Sequence, residues 1–443
     1  MKEFEYEIIA GEVKITSWLG DAQTLVIPSQ IDGLPVTVIG ENVFDEYGVW
    51  AEELILPDTV KKIEHPAALG NTRLHIDASN QVYHTDGYAL YEQLPEGKTL
   101  SSVYMADERE SYTIEEGTVQ IGEDAFSGQP FIREVTFPDS VKYIKEAAFF
   151  LCEQLRYVTL SERLEEIEAE AFSRSPYLES LHLPASLRVL SEQALTNTYD
   201  WDRKKPGLRR ITVSGENPYF YADDKGLYER LEKGGIKLIK YLGGERVVTL
   251  PEEVRMIGAS AFRRSGIAEL TLPLAVREIH EDAFLECDLE KVMLEADGTA
   301  LYIPQTPHTL GEEVIKGFYK TDAGQLYPYS RYERVVQKLK LCLEKVRMIC
   351  CCLQNPRLQS RERNTADSWK TYLKENLEKA VSLLAEAEDT ENLNVLITYD
   401  VFDRQNIDVA IEVCNRMKKS TQLGVLMDYK NRAFGAEPFD FSL

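Results

Sequence analysis

The stretch YTIEEGTVQIGEDAF (112–126) recurs three times further along the chain, at intervals of 23 residues. The copies are VTFPDSVKYIKEAAF (135–149), VTLSERLEEIEAEAF (158–172) and LHLPASLRVLSEQAL (181–195). Two later copies, VTLPEEVRMIGASAF (248–262) and LTLPLAVREIHEDAF (270–284), follow with a step of 22. A fixed period with regularly spaced aliphatic side chains is typical of a solenoid, in which short coils stack and bury one continuous core.

Each copy contains the parts of one coil. In the second copy, the alternation of Val135 and Phe137 predicts a short strand with one face inward. Pro138 is expected to end the strand because proline lacks an amide hydrogen. Val141 and Ile144 are then expected to point inward from a turn. The same rule predicts eleven strands, which precede positions 28, 57, 77, 115, 138, 161, 184, 214, 251, 273 and 295.

Three stretches outside the regular repeat contain a second motif. In each, an aspartate precedes a leucine by four residues, and a tyrosine follows the leucine. The three stretches are NQVYHTDGYALY (80–91), NPYFYADDKGLY (217–228) and KGFYKTDAGQLY (316–327). Alternating aromatic residues around an Asp/Gly turn are typical of β-hairpins. The sequence therefore predicts hairpins that project from the solenoid.

These motifs resemble a known family. IGEDAF, the LP-x-x-V-x-x-I spacing and the Asp-x-x-x-Leu-Tyr hairpins are similar to BspA-type leucine-rich repeats of bacteria and some protists, and FEYEIIAGEVKITSWLG resembles the family's capping hairpin. The resemblance implies an α+β repeat protein, a leucine-rich-repeat solenoid with a parallel sheet and protruding hairpins. Its implied parts are a capping hairpin at 1–24 and repeats at 25–329, with hairpin inserts near 80–110, 217–245 and 316–327.

The apolar pattern changes at Ser330 and predicts a C-terminal all-α domain over 330–443. Apolar residues recur at the spacing of one helix face at Tyr332, Val335, Val336, Leu339, Leu343, Val346 and Ile349. After a polar break at Pro356, further helices are expected over 368–387, 391–398, 407–418 and 421–432. Residues 403–435 resemble degenerate ankyrin-like helix pairs. We expect this tail to cover the last coil, which otherwise presents an open strand edge to water.

The net charge of −24 is unevenly distributed. Residues 331–443 hold 18 Lys+Arg and 17 Asp+Glu, so residues 1–330 hold 32 and 57 of the totals of 50 and 74. A negative field of this kind repels phosphate backbones and argues against nucleic acid as a partner. The basic segment 331–363 is expected to dock on the acidic solenoid or to form a weak site for an anionic surface.

The sequence gives expectations about location. Glu3, Glu5 and Glu7 occupy positions where a signal peptide would need an apolar run, and no stretch reaches the length of a membrane span. The seven cysteines are odd in number, and Cys350, Cys351 and Cys352 are adjacent, unlike a disulfide framework. A cytoplasmic location is expected. The family resemblance implies the alternative of a cell-surface or extracellular protein.

The residue types that carry catalysis form no recognisable group in the sequence. The six histidines are scattered, and neither a P-loop nor a G-x-S-x-G or G-x-G-x-x-G motif occurs. No cofactor or metal is expected, and an enzyme is not predicted. Cys152 and Cys287 occupy a small-residue position of the repeat, whereas Cys351 or Cys352 is a candidate for an exposed redox-sensitive thiol.

The best candidate for a partner-binding surface is the outward position of each predicted strand. This position holds Thr113, Thr136, Thr159, His182, Thr212, Thr249 and Thr271 along successive coils, and Glu134, Tyr157 and Glu269 border it. These side chains are expected to share one face. A row of threonines also suits a solvated strand without any partner. The hairpin tyrosines Tyr91, Tyr219 and Tyr228 are a second candidate surface, with packing over their own hairpins as the alternative.

The sequence therefore predicts a non-enzymatic scaffold that binds another protein through its solenoid, with the helical tail as a cap or a second interaction domain. Two alternatives remain at this point. One is a surface adhesin or glycan binder exported by an unrecognised route, and the other is an enzyme within the tail. The partner and the oligomeric state are not predicted.

Overall fold

The computed structural model describes residues 3–20, 22–44, 51–196, 199–200, 205–280, 282–295, 298–304, 311, 314, 329–355 and 365–435. The chain divides into two compact units. Unit 1 comprises Met1–Gly243 and Gly258–Ser265, and unit 2 comprises Gly244–Ile257 and Gly266–Leu443.

Unit 1 is built from short strands, joined in places by single turns of 3-10 helix at Glu41–Phe44 and Pro66–Asn71. The strands are β1 (Phe4–Ile9), β2 (Glu12–Trp18), β3 (Thr24–Val26), β4 (Gln30–Ile31), β5 (Leu34–Ile39), β6 (Glu53–Leu56), β7 (Lys62–Ile63), β8 (Arg73–Ile76), β9 (Tyr83–Thr85), β10 (Ala89–Leu94), β11 (Gly97–Val103), β12 (Ser111–Thr113), β13 (Thr118–Ile121), β14 (Glu134–Thr136), β15 (Tyr143–Ile144), β16 (Tyr157–Thr159), β17 (Glu166–Ile167), β18 (Ser180–Leu183), β19 (Val189–Leu190), β20 (Tyr199–Asp200), β21 (Lys205–Pro206), β22 (Arg210–Val213), β23 (Phe220–Ala222), β24 (Gly226–Arg230) and β25 (Ile236–Tyr241).

Unit 2 contains the last coils and the helices. Its strands are β26 (Val247–Thr249), β27 (Val254–Ile257), β28 (Glu269–Leu272), β29 (Glu278–Ile279), β30 (Lys291–Leu294) and β31 (Thr299–Tyr302). The described helices are α1 (Tyr329–Lys338), α2 (Leu343–Gln354), α3 (Thr365–Glu375), α4 (Leu377–Glu386), α5 (Thr390–Thr398), α6 (Ile407–Arg416) and α7 (Ser420–Phe434).

The eleven strands predicted from the repeat are all present. We call them the front strands. They are β3, β6, β8, β12, β14, β16, β18 and β22 in unit 1 and β26, β28 and β30 in unit 2. Neighbouring front strands pair in parallel in the orders β3-β6-β8, β12-β14-β16-β18-β22 and β26-β28-β30. The prediction of a leucine-rich-repeat solenoid with a parallel sheet is confirmed.

Each regular coil also contributes to a second parallel sheet, which the sequence assigned to a turn. Ile144 lies in β15, and β15 pairs in parallel with β13 and β17. Val141 and Ile144 are fully buried, so the expected inward direction is correct. These strands span only two to four residues in β13, β15, β17 and β19, which is too short for an alternating pattern to reveal them. We call them the side strands.

The third side of each coil is a turn that stacks on its neighbours through the backbone. The Phe126 amide donates to the Ala148 carbonyl at 2.8 Å, and the Phe149 amide donates to the Ala171 carbonyl at the same distance. In four coils, the residue two positions before the phenylalanine has the left-handed backbone conformation, with positive φ. These residues are Asp124, Ala147, Glu170 and Ser260. The small alanine before each phenylalanine is buried, which lets adjacent coils approach closely.

The hairpins predicted at 80–91 and 217–228 are formed, and each is extended by a third strand. β10 pairs antiparallel with β9 and β11, and β24 pairs antiparallel with β23 and β25. β11 also pairs in parallel with β13, so the first hairpin continues into the side strands. At the N-terminus β1 and β2 form an antiparallel hairpin, and β2 pairs in parallel with β5. The hairpin predicted at 316–327 lies outside the described residues.

The helices of unit 2 contact one another as packed pairs, α4 with α6, α6 with α7 and α5 with α7. The helix predicted at 368–387 is present as two helices, α3 and α4. The helical conformation is interrupted near Asn376, between them. Helix α2 packs on β31, which pairs antiparallel with β30 of the last coil. The predicted C-terminal helical region is therefore present. Residues 356–363 of the basic segment 331–363 lie outside the described residues, so its docking on the acidic solenoid stays a prediction.

Candidate binding face

The row of outward residues predicted on the front strands exists in unit 1. Thr113, Thr136 and Thr159 lie directly opposite one another on β12, β14 and β16. His182 lies opposite Thr212, and its Nδ1 is 2.9 Å from the threonine hydroxyl. All five side chains are exposed or half-buried. Parallel pairing in register therefore brings these residues onto one surface.

Unit 2 repeats the arrangement over three strands. Thr249 lies opposite Thr271, and Thr271 lies opposite Met293. Thr249 is exposed and Thr271 is half-buried.

The first three front strands add members to the row that the sequence analysis did not name. Val26 lies opposite Ile55, and Ile55 lies opposite His75. Val26 is 51% exposed and Ile55 is 40% exposed. Counting two residues back from positions 28, 57 and 77 would have found them. None of the eleven outward positions holds Lys, Arg, Asp or Glu, although 28% of the chain is charged. We call these positions the uncharged row.

Charged side chains border the uncharged row on both sides. Arg133 pairs with Glu110 at 3.0 Å, and Arg156 lies 3.9 Å from Glu179. The neighbouring Tyr157 is 48% exposed. On the other side, three residues beyond the row on β12, β14 and β16, lie the exposed acidic residues Glu116, Asp139 and Glu162. The row is thus an uncharged strip between charged margins.

Two of the three hairpin tyrosines are not available to a partner, which corrects that part of the prediction. Tyr91 and Tyr228 have no exposed surface, whereas Tyr219 is 44% exposed. The reason is an irregularity in register between Leu90 and Tyr91 and again between Leu227 and Tyr228. Such a bulge lets two consecutive side chains face inward, contrary to simple alternation.

Tyr91, the buried tyrosine of the first hairpin, belongs to a hydrogen-bonded network. The hydroxyls of Tyr91 and Tyr112 are 2.5 Å apart, and Tyr112 donates to Asp86 at 2.7 Å. The Glu115 amide donates to the Tyr91 hydroxyl at 3.1 Å, and His84 stacks on the Tyr91 ring. Burial raises the pKa of Tyr91 to about 12. These groups satisfy one another inside the protein, so the network joins the hairpin to the next front strand.

The adjacent cysteines of α2 are buried, which contradicts the hypothesis of an exposed thiol at Cys351 or Cys352. Cys350, Cys351 and Cys352 are at most 2% exposed. They face different directions around α2, but β31 and the other helices cover the helix on several sides. The Cys351 thiol donates to the Ala300 carbonyl at 2.7 Å, and burial raises its pKa to about 11.

Cys152 occupies the repeat position assigned to it by the sequence, and the structure shows its role. Its thiol donates to the carbonyl of Phe126 at 3.0 Å. Ser175, in the same position of the next coil, donates to the carbonyl of Phe149 at 2.9 Å. The position therefore holds a small donor that joins two coils.

Within the described part of the chain, no group of three or more His, Cys, Asp or Glu side chains is placed to hold a metal ion. Among the described helices, none combines the length and apolar character that crossing a bilayer requires.

Comparison with known proteins agrees with this architecture. The model of the BspA type leucine rich repeat region matches residues 98–202 and 245–305 in six copies. No curated protein matches the chain. A leucine rich cell surface protein from Faecalibacterium prausnitzii is 21% identical, with 66% of this chain and 75% of that chain covered and a TM-score of 0.44. The pneumococcal vaccine antigen PcpA is 18% identical, with 66% and 69% covered and a TM-score of 0.36. The matched copies, the repeat spacing and the stacked coils together show that the repeats within residues 98–202 and 245–305 are BspA-type leucine-rich repeats.

Proposed function

We propose that this protein binds another protein through the part of the uncharged row that lies in unit 1 and acts as a non-enzymatic interaction module. The repeat family supports the coarser statement, a repeat-based role in protein interaction or at a surface. The finer proposal is carried by one observation: the eight positions of the row in unit 1 hold no Lys, Arg, Asp or Glu in a chain of net charge −24, although exposed charged residues such as Glu134 and Arg210 lie two residues before the row.

The physical argument concerns desolvation. A partner that covers a charged side chain must remove its water, which costs free energy unless a matching charge is supplied. The centres of protein interfaces are accordingly depleted of charged residues. Threonine hydroxyls both donate and accept hydrogen bonds, so a partner with a polar strip satisfies them easily. The stacked backbone also holds the row rigidly, so little ordering is required on binding.

The test is an affinity purification from the native cell with matched variants. In the first variant, Thr136→Arg and Thr159→Arg place two cations in the row. In the control, Val189→Arg and Gln193→Arg place two cations on other sides of a neighbouring coil, at positions that are also exposed. We expect the first variant to lose proteins that the wild type and the control retain. Identical sets of retained proteins for all three would contradict the proposal.

Both variants alter exposed or half-buried positions, so thermal unfolding should show that each remains folded. A cytoplasmic location stays a prediction of the sequence, and fractionation of the native cell tests it.

A further inference from the structure

The two margins of the uncharged row in unit 1 are complementary in charge at the same coils. Arg133 lies three residues before Thr136, and Asp139 lies three residues after it. Arg156 and Glu162 flank the next threonine of the row in the same way. The coils of β14 and β16 therefore carry an arginine on one margin and a carboxylate on the other. Each arginine is also paired with a glutamate of a neighbouring coil, and the exposed Glu134 lies between Arg133 and the row.

We propose that this face of unit 1 binds a second copy of the chain across a two-fold axis that runs along the uncharged row. The inference rests on the proposed function of this face and names its partner. Rotation about such an axis turns one face toward the other and reverses the strand direction. A residue three positions before the row then faces a residue three positions after it on the second copy. Arg133 faces Asp139, and Arg156 faces Glu162, and each pair occurs twice.

The charged residues on the two margins favour a two-fold axis along the row over one that runs across it. A two-fold axis across the row would bring Asp139 and Glu162 against the acidic margin of the second copy, where like charges repel. Along the row, the same carboxylates meet guanidinium groups, with which they can form bidentate hydrogen bonds. Within the described residues no ion pair joins Asp139 or Glu162 to another side chain of the same copy.

The remaining positions on the axis are compatible with close approach. Each threonine of the row meets the same threonine of the second copy, and the small side chains leave room for hydroxyl contacts between copies. At the β12 end Glu110 would face Glu116. Lys98 lies beside this site, since its Nζ is 2.6 Å from the Glu116 carbonyl and 3.1 Å from a carboxylate oxygen of Glu115.

The area of this face indicates how stable the dimer is expected to be. Five strands about 4.8 Å apart and a width of about 20 Å between the margins give roughly 450 Å² for each copy. A total near 900 Å² is in the range of weak, transient interfaces rather than permanent ones. The dimer is therefore expected to be reversible and to form only as the protein concentration rises. It should also weaken in high salt, because its specific contacts are ion pairs at an exposed margin.

A charge swap tests the proposal by sedimentation velocity on the full chain. We expect a concentration-dependent dimer for the wild type and a shift to monomer for Arg156→Glu and for Glu162→Arg. The chain that carries both substitutions should dimerise again, because each new anion then meets a new cation. Glu153→Arg, an exposed carboxylate on another side of the coil, is the matched control and should dimerise like the wild type.

The outcomes separate this inference from the proposed function. A monomeric wild type, or a double variant that remains monomeric while its unfolding temperature is unchanged, overturns the self-association. If such a chain still retains proteins that the Thr136→Arg and Thr159→Arg variant loses, the face binds a different protein and only the self-association fails. Restored dimerisation in the double variant supports the pairing of Arg156 with Glu162 directly.

Discussion

At the scale of single residues, two asparagines explain why each described hairpin motif begins where it does. The Asn217 side-chain amide donates to the carbonyls of Pro184 and Leu187 at 2.7 and 3.0 Å. Its carbonyl accepts from the amides of Tyr219 and Phe220, both at 2.8 Å. Asn80 makes the corresponding four hydrogen bonds in the first motif. An asparagine, buried at Asn217 and half-buried at Asn80, thus joins the start of each hairpin to the preceding coil.

Replacing Asn217 by alanine should therefore destabilise unit 1. Four hydrogen bonds are lost at a site that is only 4% exposed, and buried backbone groups lose their partners. We expect the free energy of unfolding in urea to fall by about 2–4 kcal/mol. Asn415→Ala, at an exposed position of α6, serves as the control and should change it by less than about 0.5 kcal/mol. Equal effects of the two substitutions would refute the role given to the amide.

Three glycines follow the isoleucine of a coil only where that coil stacks on a long hairpin strand. A Cβ at Gly40, Gly122 or Gly258 would lie 2.9–3.0 Å from a carbonyl oxygen of β2, β11 or β25 respectively. Coils that stack on an ordinary coil hold Lys145, Glu168 or Ser191 at this position. The Ile-Gly pair in IGEDAF therefore indicates that this coil stacks on the strand of a preceding hairpin.

Gly122→Ala should be destabilising for this reason. The added methyl group meets the Leu100 carbonyl at 3.0 Å, and overpacking of this kind costs about 1–3 kcal/mol. Ser191→Ala, at the equivalent position of a coil without a preceding hairpin, should cost less than about 1 kcal/mol. Urea unfolding of both variants measures the difference, and a Gly122→Ala protein as stable as the wild type would rule out the close approach.

At the scale of elements, the coils of unit 1 share a ladder of aromatic rings. The Phe149 ring stacks on Phe126 at 4.7 Å and on Phe172 at 5.3 Å between centroids. All three rings are fully buried, and Leu195 takes the same place in the next coil. The ladder runs at right angles to the strands, so each ring stabilises two coils.

Phe149→Ala should leave a cavity in the middle of this ladder. We expect a loss of about 3–5 kcal/mol in the free energy of unfolding. Phe149→Leu, which copies the residue of the later coil, should cost much less because most of the volume is kept. Calorimetry or urea unfolding of the two variants provides the comparison. Similar losses for leucine and alanine would show that the aromatic ring, rather than its volume, is required.

The side strands carry an acid-sensitive contact between three coils. Glu165 lies 3.1 Å from Lys142 and also pairs with Arg188. The hydrogen bond from Lys142 lowers the pKa of Glu165 below 4.5, although burial acts in the opposite direction, and Arg188 adds to the lowering. A carboxylate whose pKa is lower in the folded state stabilises the fold above its unfolded pKa. That contribution is lost as the pH falls through the folded pKa.

The unfolding temperatures of the wild type and Glu165→Gln should therefore differ at neutral pH and converge as the pH falls below 4.5. Glu153→Gln, at an exposed position of a neighbouring coil, is the control and should show no such convergence. Thermal unfolding between neutral and acid pH measures both differences. A constant offset between the wild type and Glu165→Gln at all pH values would contradict the assignment.

At the scale of the whole molecule, the helices of unit 2 close the last coil. The Tyr332 hydroxyl accepts from the Tyr302 amide at 3.0 Å and donates to the Tyr302 carbonyl at 3.2 Å. Asn392 donates to the Tyr302 hydroxyl at 3.1 Å, and Arg347 lies over the Tyr302 ring. Polar groups of β31, the last described strand, are thus satisfied by α1, α2 and α5. Helix–strand contacts replace the next coil that a longer array would provide.

Tyr332→Phe should loosen this closure without removing the ring. The hydroxyl is lost from a fully buried residue, and two backbone groups of Tyr302 lose their partner. We expect a loss of about 1–3 kcal/mol in unit 2 and faster hydrogen exchange at the Tyr302 amide. Tyr399→Phe, a half-buried tyrosine of the same helical region, is the control and should leave that exchange rate unchanged.

The sequence alone determined the stack of coils, the eleven front strands and the uncharged row. These depend on a pattern that recurs along the chain, every 22 or 23 residues in the regular coils, so each copy repeats the same information. The tertiary structure decided the features that break this regularity. The register irregularity that buries Tyr91 and Tyr228 depends on pairing with another strand, and the burial of Cys351 depends on a strand 51 residues away. The short side strands exist only because neighbouring coils hold them. Such features depend on pairing with another strand or helix, which the local pattern of a segment does not show.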